Sequence, residues 1–126
     1  MIIKTLTCGE GRYALQAVVV VTGNGVTVTI CTAEHDHLGA TAQAVPRPEH
    51  DRTATTSLLA VPCHRDDVPA HDLAASLATK LRVPVAVSAG MHIDNASRED
   101  IQMLLDNTQA MGEKIVEVVR GSQQAR

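Results

Sequence analysis

Two β-prone segments are joined by the turn sequence TGNG at residues 22–25, and this arrangement limits the possible folds more than any other part of the chain. Apolar and polar residues alternate through residues 26–31, as expected for a strand with one buried face. A short glycine- and asparagine-rich turn between two such runs predicts a β-hairpin. The run before the turn, residues 12–21, is apolar on both faces because Val18 and Val20 interrupt the alternation. An antiparallel sheet with more than one covered surface is therefore expected.

The rest of the chain supplies further strands and two helices. Strands are predicted at residues 2–8, 56–61 and 83–88, and residues 32–55 are interpreted as a long loop with a short strand near residues 40–45. Leucines repeating every four residues predict a helix from near Val68 to before Pro84, with Asp66 or Asp67 as its cap. A second helix of roughly 23 residues begins at Ser97, where Asp100 completes a variant of the capping box. Its apolar face comprises positions 101, 104, 105, 108, 111, 115, 118 and 119.

These elements predict an α+β fold in a single domain spanning residues 1–126, with a frayed tail at residues 121–126. The order is β-β-β-(loop)-β-α-β-α, with two helices on one face of a mainly antiparallel sheet of about five or six strands. The chain has no Phe, no Trp and one Tyr, so its core must consist of Ala, Val, Leu and Ile. Aliphatic residues of this kind suit a sheet covered by helices.

Composition also excludes several functions. The formal charge of -3 comes without a basic cluster, which argues against nucleic-acid binding. No stretch approaches the roughly 18 uninterrupted apolar residues of a membrane span, and the N-terminus lacks a signal-peptide pattern. The three cysteines form no CxxC pair, so a reducing cytoplasm is the expected location.

Three short segments concentrate the residues capable of chemistry: 34–39, 63–67 and 90–95. Each contains a histidine beside a carboxylate. Such groups suit a metal site, although no ligand spacing of high specificity is present. They also suit catalysis, with Cys63 as nucleophile, His64 or His92 as base and Asp94 as the orienting group. The structural alternative makes Cys63 a small buried residue and assigns the glycines of these segments to turns.

A resemblance to a known family covers most of the chain. The stretches that carry it are HLGA at residues 37–40, PCHRDD at 62–67 and, most distinctively, VSAGMHIDNA at 87–96. In order and spacing they resemble the LpdD-like proteins, small chaperones for prenylated flavin that accompany UbiD-type aromatic acid decarboxylases. The chain departs from the usual family pattern at Cys63, where glycine is common, and at Leu38, where isoleucine is common.

The resemblance implies a homodimer with the fold of the proteasome assembly chaperones. It also implies transient binding of reduced prenylated flavin mononucleotide (FMN) and its delivery to an apo UbiD-type decarboxylase, without catalysis. Two alternatives remain open: a small histidine- or metal-dependent enzyme, and an assembly factor that binds only protein.

Residues in the three segments can supply the contacts that such a ligand needs. A reduced flavin is electron-rich and carries a phosphate, so its site needs cationic or neutral donors. The candidate cofactor-binding residues are His37, Gly39, His64, Arg65, Gly90, His92 and Asn95. Arg65 is the first candidate for the phosphate, because guanidinium binds phosphate in a forked geometry. No catalytic residue and no metal ligand is assigned.

Overall fold

The structure, a computed structural model, describes residues 1–62 and 65–124. Six strands and two long helices make up the fold. The strands are β1 (Ile2–Cys8), β2 (Leu15–Val21), β3 (Val26–Thr32), β4 (Ala40–Arg47), β5 (His50–Ala60) and β6 (Val85–Gly90), and the helices are α1 (Asp67–Leu81) and α2 (Arg98–Gln124).

All six strands form one sheet in the order β1-β2-β3-β6-β4-β5. Every neighbouring pair is antiparallel except β3 and β6, which run parallel because the chain crosses between them through β4, β5 and α1. The predicted α+β class, the order of elements and the mainly antiparallel sheet are confirmed.

The predicted hairpin is present, with Val21 opposite Val26 and Leu15 opposite Thr32. Its first strand is shorter than expected, because the chain makes a 3-10 turn at Gly11–Tyr13 before β2 begins. Gly11 has a φ of 59°, a left-handed conformation that glycine adopts without strain. Residues 12–14 were therefore wrongly assigned to the strand.

The short strand predicted near residues 40–45 is confirmed as β4, but the long loop predicted around it is largely replaced by the β4–β5 hairpin, and β5 begins earlier than the predicted strand at 56–61. The alternation in β4 is weak because its buried positions are all alanines, Ala40, Ala42 and Ala44. Alanine has low β propensity, so the pattern carries little strand signal. Small side chains are required there because α1 packs closely on β4 and presents alanines of its own.

The core lies between one face of the sheet and the two helices. Helix α1 packs over β4, β5 and β6, whereas α2 packs over β1 and β2. The core contains aliphatic residues and one methionine, as the composition required. Helix α2 extends through Gln124, so residues 121–124 are helical rather than frayed, and 125–126 lie outside the described residues. Neither helix, within the described residues, is long and apolar enough to cross a membrane.

The opposite face of the sheet has no helix on it. The strand register places hydroxyl, amide and aliphatic side chains there, and its positions within residues 3–7, 16–20, 27–31, 41–45, 55–59 and 86–90 carry no charge. One row runs Thr5, Val18, Thr29, Ser88, Thr41 and Leu59. Val18 and Leu59 are among its exposed apolar residues. We call this surface the open face.

Candidate functional site

The described parts of the three histidine-containing segments meet at the buried carboxylate of Asp66. Its Oδ1 accepts a hydrogen bond of 2.7 Å from the backbone N–H of Met91. Its Oδ2 lies 3.0 Å from Nε2 of His37. The side chain of Asp66 is only 3% exposed, so these contacts satisfy a carboxylate that water barely reaches. One residue thus links the loop before β4, the start of α1 and the end of β6.

Two glycines make this junction possible. A side chain at Gly39 would overlap the Asp66 carboxylate, and one at Gly90 would overlap the backbone carbonyl of His37. Both glycines are buried. The close approach of backbone to neighbouring groups, rather than an unusual φ, is therefore what requires glycine at both positions.

The hydrogen bonds of His37 determine its protonation. Nδ1 lies 3.0 Å from the carbonyl oxygen of His35, and Nε2 lies against the Asp66 carboxylate. Because both partners are acceptors, they favour the imidazolium form, which donates from both nitrogens. Partial burial lowers the pKa of His37, but the His35 carbonyl and the Asp66 carboxylate outweigh burial and raise the pKa above 6.5.

A second polar group lies beside this junction, on the surface. Nε2 of His92 is 2.8 Å from Oδ1 of Asp94, and the His35 ring meets the His92 ring edge-on with centroids 5.4 Å apart. The hydrogen bond from His92 and the nearby His35 hold the pKa of Asp94 below its usual value. Buried Thr32 ties the two loops together, since its hydroxyl donates to the His35 carbonyl and accepts from the His92 amide. Within the described residues, no group of His, Cys, Asp and Glu has the arrangement of a metal site.

The start of α2 is fixed by Asp100. Its carboxylate accepts 2.6 Å hydrogen bonds from Arg12 and from the Tyr13 hydroxyl, and it also accepts from the Ser97 amide. Ser97 in turn accepts the Asp100 amide, which confirms the predicted capping box. The hydrogen bond from Tyr13, followed by that from the Ser97 amide, lowers the pKa of Asp100 to about 2.

A cleft of about 520 Å³ opens between the start of α1, the loop after β6 and the first half of α2. This volume is within the range of small-molecule sites. Arg65, Asp66 and His92 supply charged or ionisable groups, and the other walls are mainly apolar. The lining residues are Arg65, Asp66, Val68, Pro69, Met91, His92, Ile93, Ala96, Ile101, Leu104, Leu105 and Thr108.

The structure places the seven predicted cofactor-binding residues in different positions. Arg65 and His92 line the cleft. His37, Gly39 and Gly90 lie at the Asp66 junction beneath it. Asn95 is exposed before α2 and has a φ of 52°, a left-handed conformation that asparagine tolerates. His64 lies outside the described residues, as does Cys63.

Two features of the site were missed from the sequence. Asp66 was interpreted as a helix cap, yet its side chain makes no capping bond and turns to Met91 and His37. The apolar residues Ile101 and Leu105 were assigned to a core-facing stripe, yet about half of each side chain is exposed in the cleft. No signal in the sequence separated these two positions from the buried part of the stripe.

Most of the chain matches a known protein family. A family model for the prenylated flavin chaperone LpdD-like domain matches residues 9–120. The chain belongs to this family. The resemblance seen in the sequence motifs is thereby confirmed, and the match includes the Asp66 junction and the whole cleft lining. A chaperone role follows from this membership.

A solved structure supports the fold. The chain is similar to a protein in the crystal structure of a novel chaperone complex for yeast 20S proteasome assembly, with a TM-score of 0.62 and 14% identity. The similarity covers 96% of this chain and 98% of the yeast chain. At this identity the likeness shows a shared fold alone. No curated protein matched the sequence.

Proposed function

We propose that the cleft binds reduced prenylated FMN and that the protein carries it through the cytoplasm to an apo UbiD-type decarboxylase without catalysing a reaction. The observation that carries the proposal is a mainly apolar cleft of about 520 Å³, with Arg65 and His92 on its wall, in a member of the prenylated flavin chaperone family. The apolar walls suit the ring system, and the cationic or neutral donors suit the phosphate.

The electrostatics around Arg65 favour an anion. Two carboxylates of the site have histidine partners, since Asp66 lies against His37 and Asp94 accepts from His92. Within the described chain, Arg65 has no hydrogen-bond or ion-pair partner, so its guanidinium is available to a ligand. Helix α1 begins at Asp67, two residues after Arg65, and the Asp66 side chain does not cap it. The amides of Asp67 and Val68 are therefore further donors close to Arg65 in the chain.

An anaerobic titration with reduced prenylated FMN, followed by flavin absorbance or fluorescence, tests this proposal. Arg65→Ala and His92→Ala are expected to weaken binding by about 1–3 kcal/mol, the range for a lost charge-assisted hydrogen bond. Arg47→Ala and His71→Ala are matched controls, because both residues are exposed and lie outside the cleft. Their affinities should equal that of the unmodified protein.

Two results would overturn the proposal. One is the absence of flavin binding in either redox state, which would favour an assembly factor that binds only protein. The other is turnover of a substrate by the protein alone, which would favour the enzyme alternative. Delivery is tested separately by mixing the loaded protein with an apo UbiD-type decarboxylase, whose activity should then appear.

We also propose that a second copy of the chain covers the open face. Exposed sheet surfaces normally carry charged residues, whereas the open face carries none within residues 3–7, 16–20, 27–31, 41–45, 55–59 and 86–90 and exposes Val18, Val45 and Leu59. A six-stranded sheet supplies enough surface for an interface above roughly 1,000 Å² in total. Light scattering should give twice the mass of one chain.

The substitution Val18→Lys should yield monomers, because it places a charge among the uncharged side chains of the open face. Glu117→Lys, at an exposed position on α2, should leave the dimer intact. A monomer at micromolar concentration in the unmodified protein would contradict the dimer without affecting the flavin proposal.

A further inference from the structure

Aliphatic side chains from both helices of the cleft are exposed to an unusual degree. Val68 at the start of α1 is 57% exposed, and Ile101 and Leu105 on α2 are 50% and 43% exposed. All three line the cleft, together with partly buried Leu104. Branched aliphatic groups gain stability in proportion to the apolar area they bury, so this wall is suited to a hydrocarbon group of the ligand.

The described part of the wall has few of the groups that usually hold a flat ring. Among the described residues, His92 is the only aromatic side chain that lines the cleft, and the chain has no Phe or Trp. The single tyrosine, Tyr13, is engaged with Asp100 through its hydroxyl. Aromatic residues stack on flat ligands through their ring faces, and that contribution is small here. Contacts with the aliphatic part of a ligand therefore weigh more in this cleft than they do in a site with aromatic walls.

We infer that the aliphatic wall formed by Val68, Ile101, Leu104 and Leu105 selects prenylated over unmodified flavin by contacting the hydrocarbon unit that prenylation adds. This inference rests on the proposed function, and it divides the cleft into two parts. Arg65 and His92 bind features that both flavins share, whereas the aliphatic wall binds the feature that distinguishes them.

The experiment is an anaerobic measurement of two dissociation constants, for reduced FMN and for reduced prenylated FMN, in each protein. Their ratio measures selectivity. Ile101→Ala and Leu105→Ala should each lower the selectivity ratio about fivefold to tenfold, as expected for the lost burial of a few carbon atoms. Arg65→Ala should weaken both ligands equally and leave the ratio unchanged.

Met103→Ala is the matched control. Met103 is also a large, exposed apolar residue on the first half of α2, but it does not line the cleft. Its replacement should change neither dissociation constant. Because all these positions are exposed, thermal unfolding should show that each variant is folded.

The outcomes separate this inference from the proposed function. If the unmodified protein prefers prenylated flavin and the wall variants retain that preference, the inference is wrong and the proposed function stands. If the unmodified protein binds both flavins equally, the inference is also wrong. Failure to bind either flavin overturns the proposed function itself.

Discussion

The two halves of α2 have the same apolar periodicity and different surroundings. In the second half, Met111, Ile115 and Val119 are fully buried against the sheet. In the first half, Ile101 and Leu105 continue the stripe but project into an open cleft. The pattern of a helix therefore specifies which face is apolar and does not specify what covers it. In the first half we propose that the covering group is the ligand.

The two halves of α2 should differ most in how much the truncation of one isoleucine lowers the free energy of unfolding. Ile115→Ala should lower the free energy of unfolding by about 2–5 kcal/mol, the range for truncating a buried aliphatic side chain. Ile101→Ala makes the same chemical change on the same helix and should cost less than about 1 kcal/mol, because its site is already exposed. Urea denaturation measures both. Equal losses would show that the cleft is closed in solution.

The first turns of α2 should also differ from its second half in acid sensitivity. Asp100 anchors these turns through Arg12, Tyr13 and Ser97. Because the pKa of Asp100 is lowered to about 2 from 3.8, its stabilising effect is complete above pH 4 and disappears as the pH falls toward 2. Asp100→Asn should remove that acid-sensitive contribution and increase hydrogen exchange in the first turns of α2.

Glu99→Gln is the control for this prediction. It removes the same charge from the same helical turn at an exposed position. It should leave the acid sensitivity unchanged, and exchange in the second half of α2 should be unaffected in both variants. Acid unfolding of Asp100→Asn identical to that of the unmodified protein would argue against the anchoring role.

A smaller effect is expected on the opposite wall of the cleft, where His37 and Asp66 hold the start of α1. The pKa of His37 is raised, so the pair stabilises the fold fully below pH 6.5 and loses that contribution as the pH rises above this value. Thermal unfolding temperatures should decline over that interval. In His37→Gln the decline should be absent, whereas in His71→Gln, on the exposed surface of α1, it should persist.

The strands and helices that were predictable from sequence are those with strong local signals. The hairpin at residues 22–25 and the capping box at Ser97 depend on contacts between near neighbours in the chain. The β4 strand was predicted only as a short segment within a loop, because its buried positions are alanines, which are small since a helix distant in sequence lies on them. The helix order and sheet type followed once the local elements were known.

The candidate site was predictable only in part, for a related reason. Its three segments were recognisable from their histidines and carboxylates. The contacts between them depend on Asp66, whose partners Met91 and His37 are 25 and 29 residues away. No local pattern distinguishes a carboxylate that caps its own helix from one that turns to a distant loop. The apolar walls were equally hidden, because the pattern of α2 does not record where the core ends.

The most direct test of the account uses Ile101 and Ile115 as a pair of methyl probes on one helix. Protein with labelled Ile, Leu and Val methyl groups would be titrated anaerobically with reduced prenylated FMN and followed by NMR. We expect the methyl signals of Ile101, Leu104, Leu105 and Val68 to shift on binding, while that of Ile115 stays in place. Saturable binding that leaves the Ile101 signal unchanged, or that shifts Val18 on the open face instead, would contradict the assignment of the cleft as the flavin site.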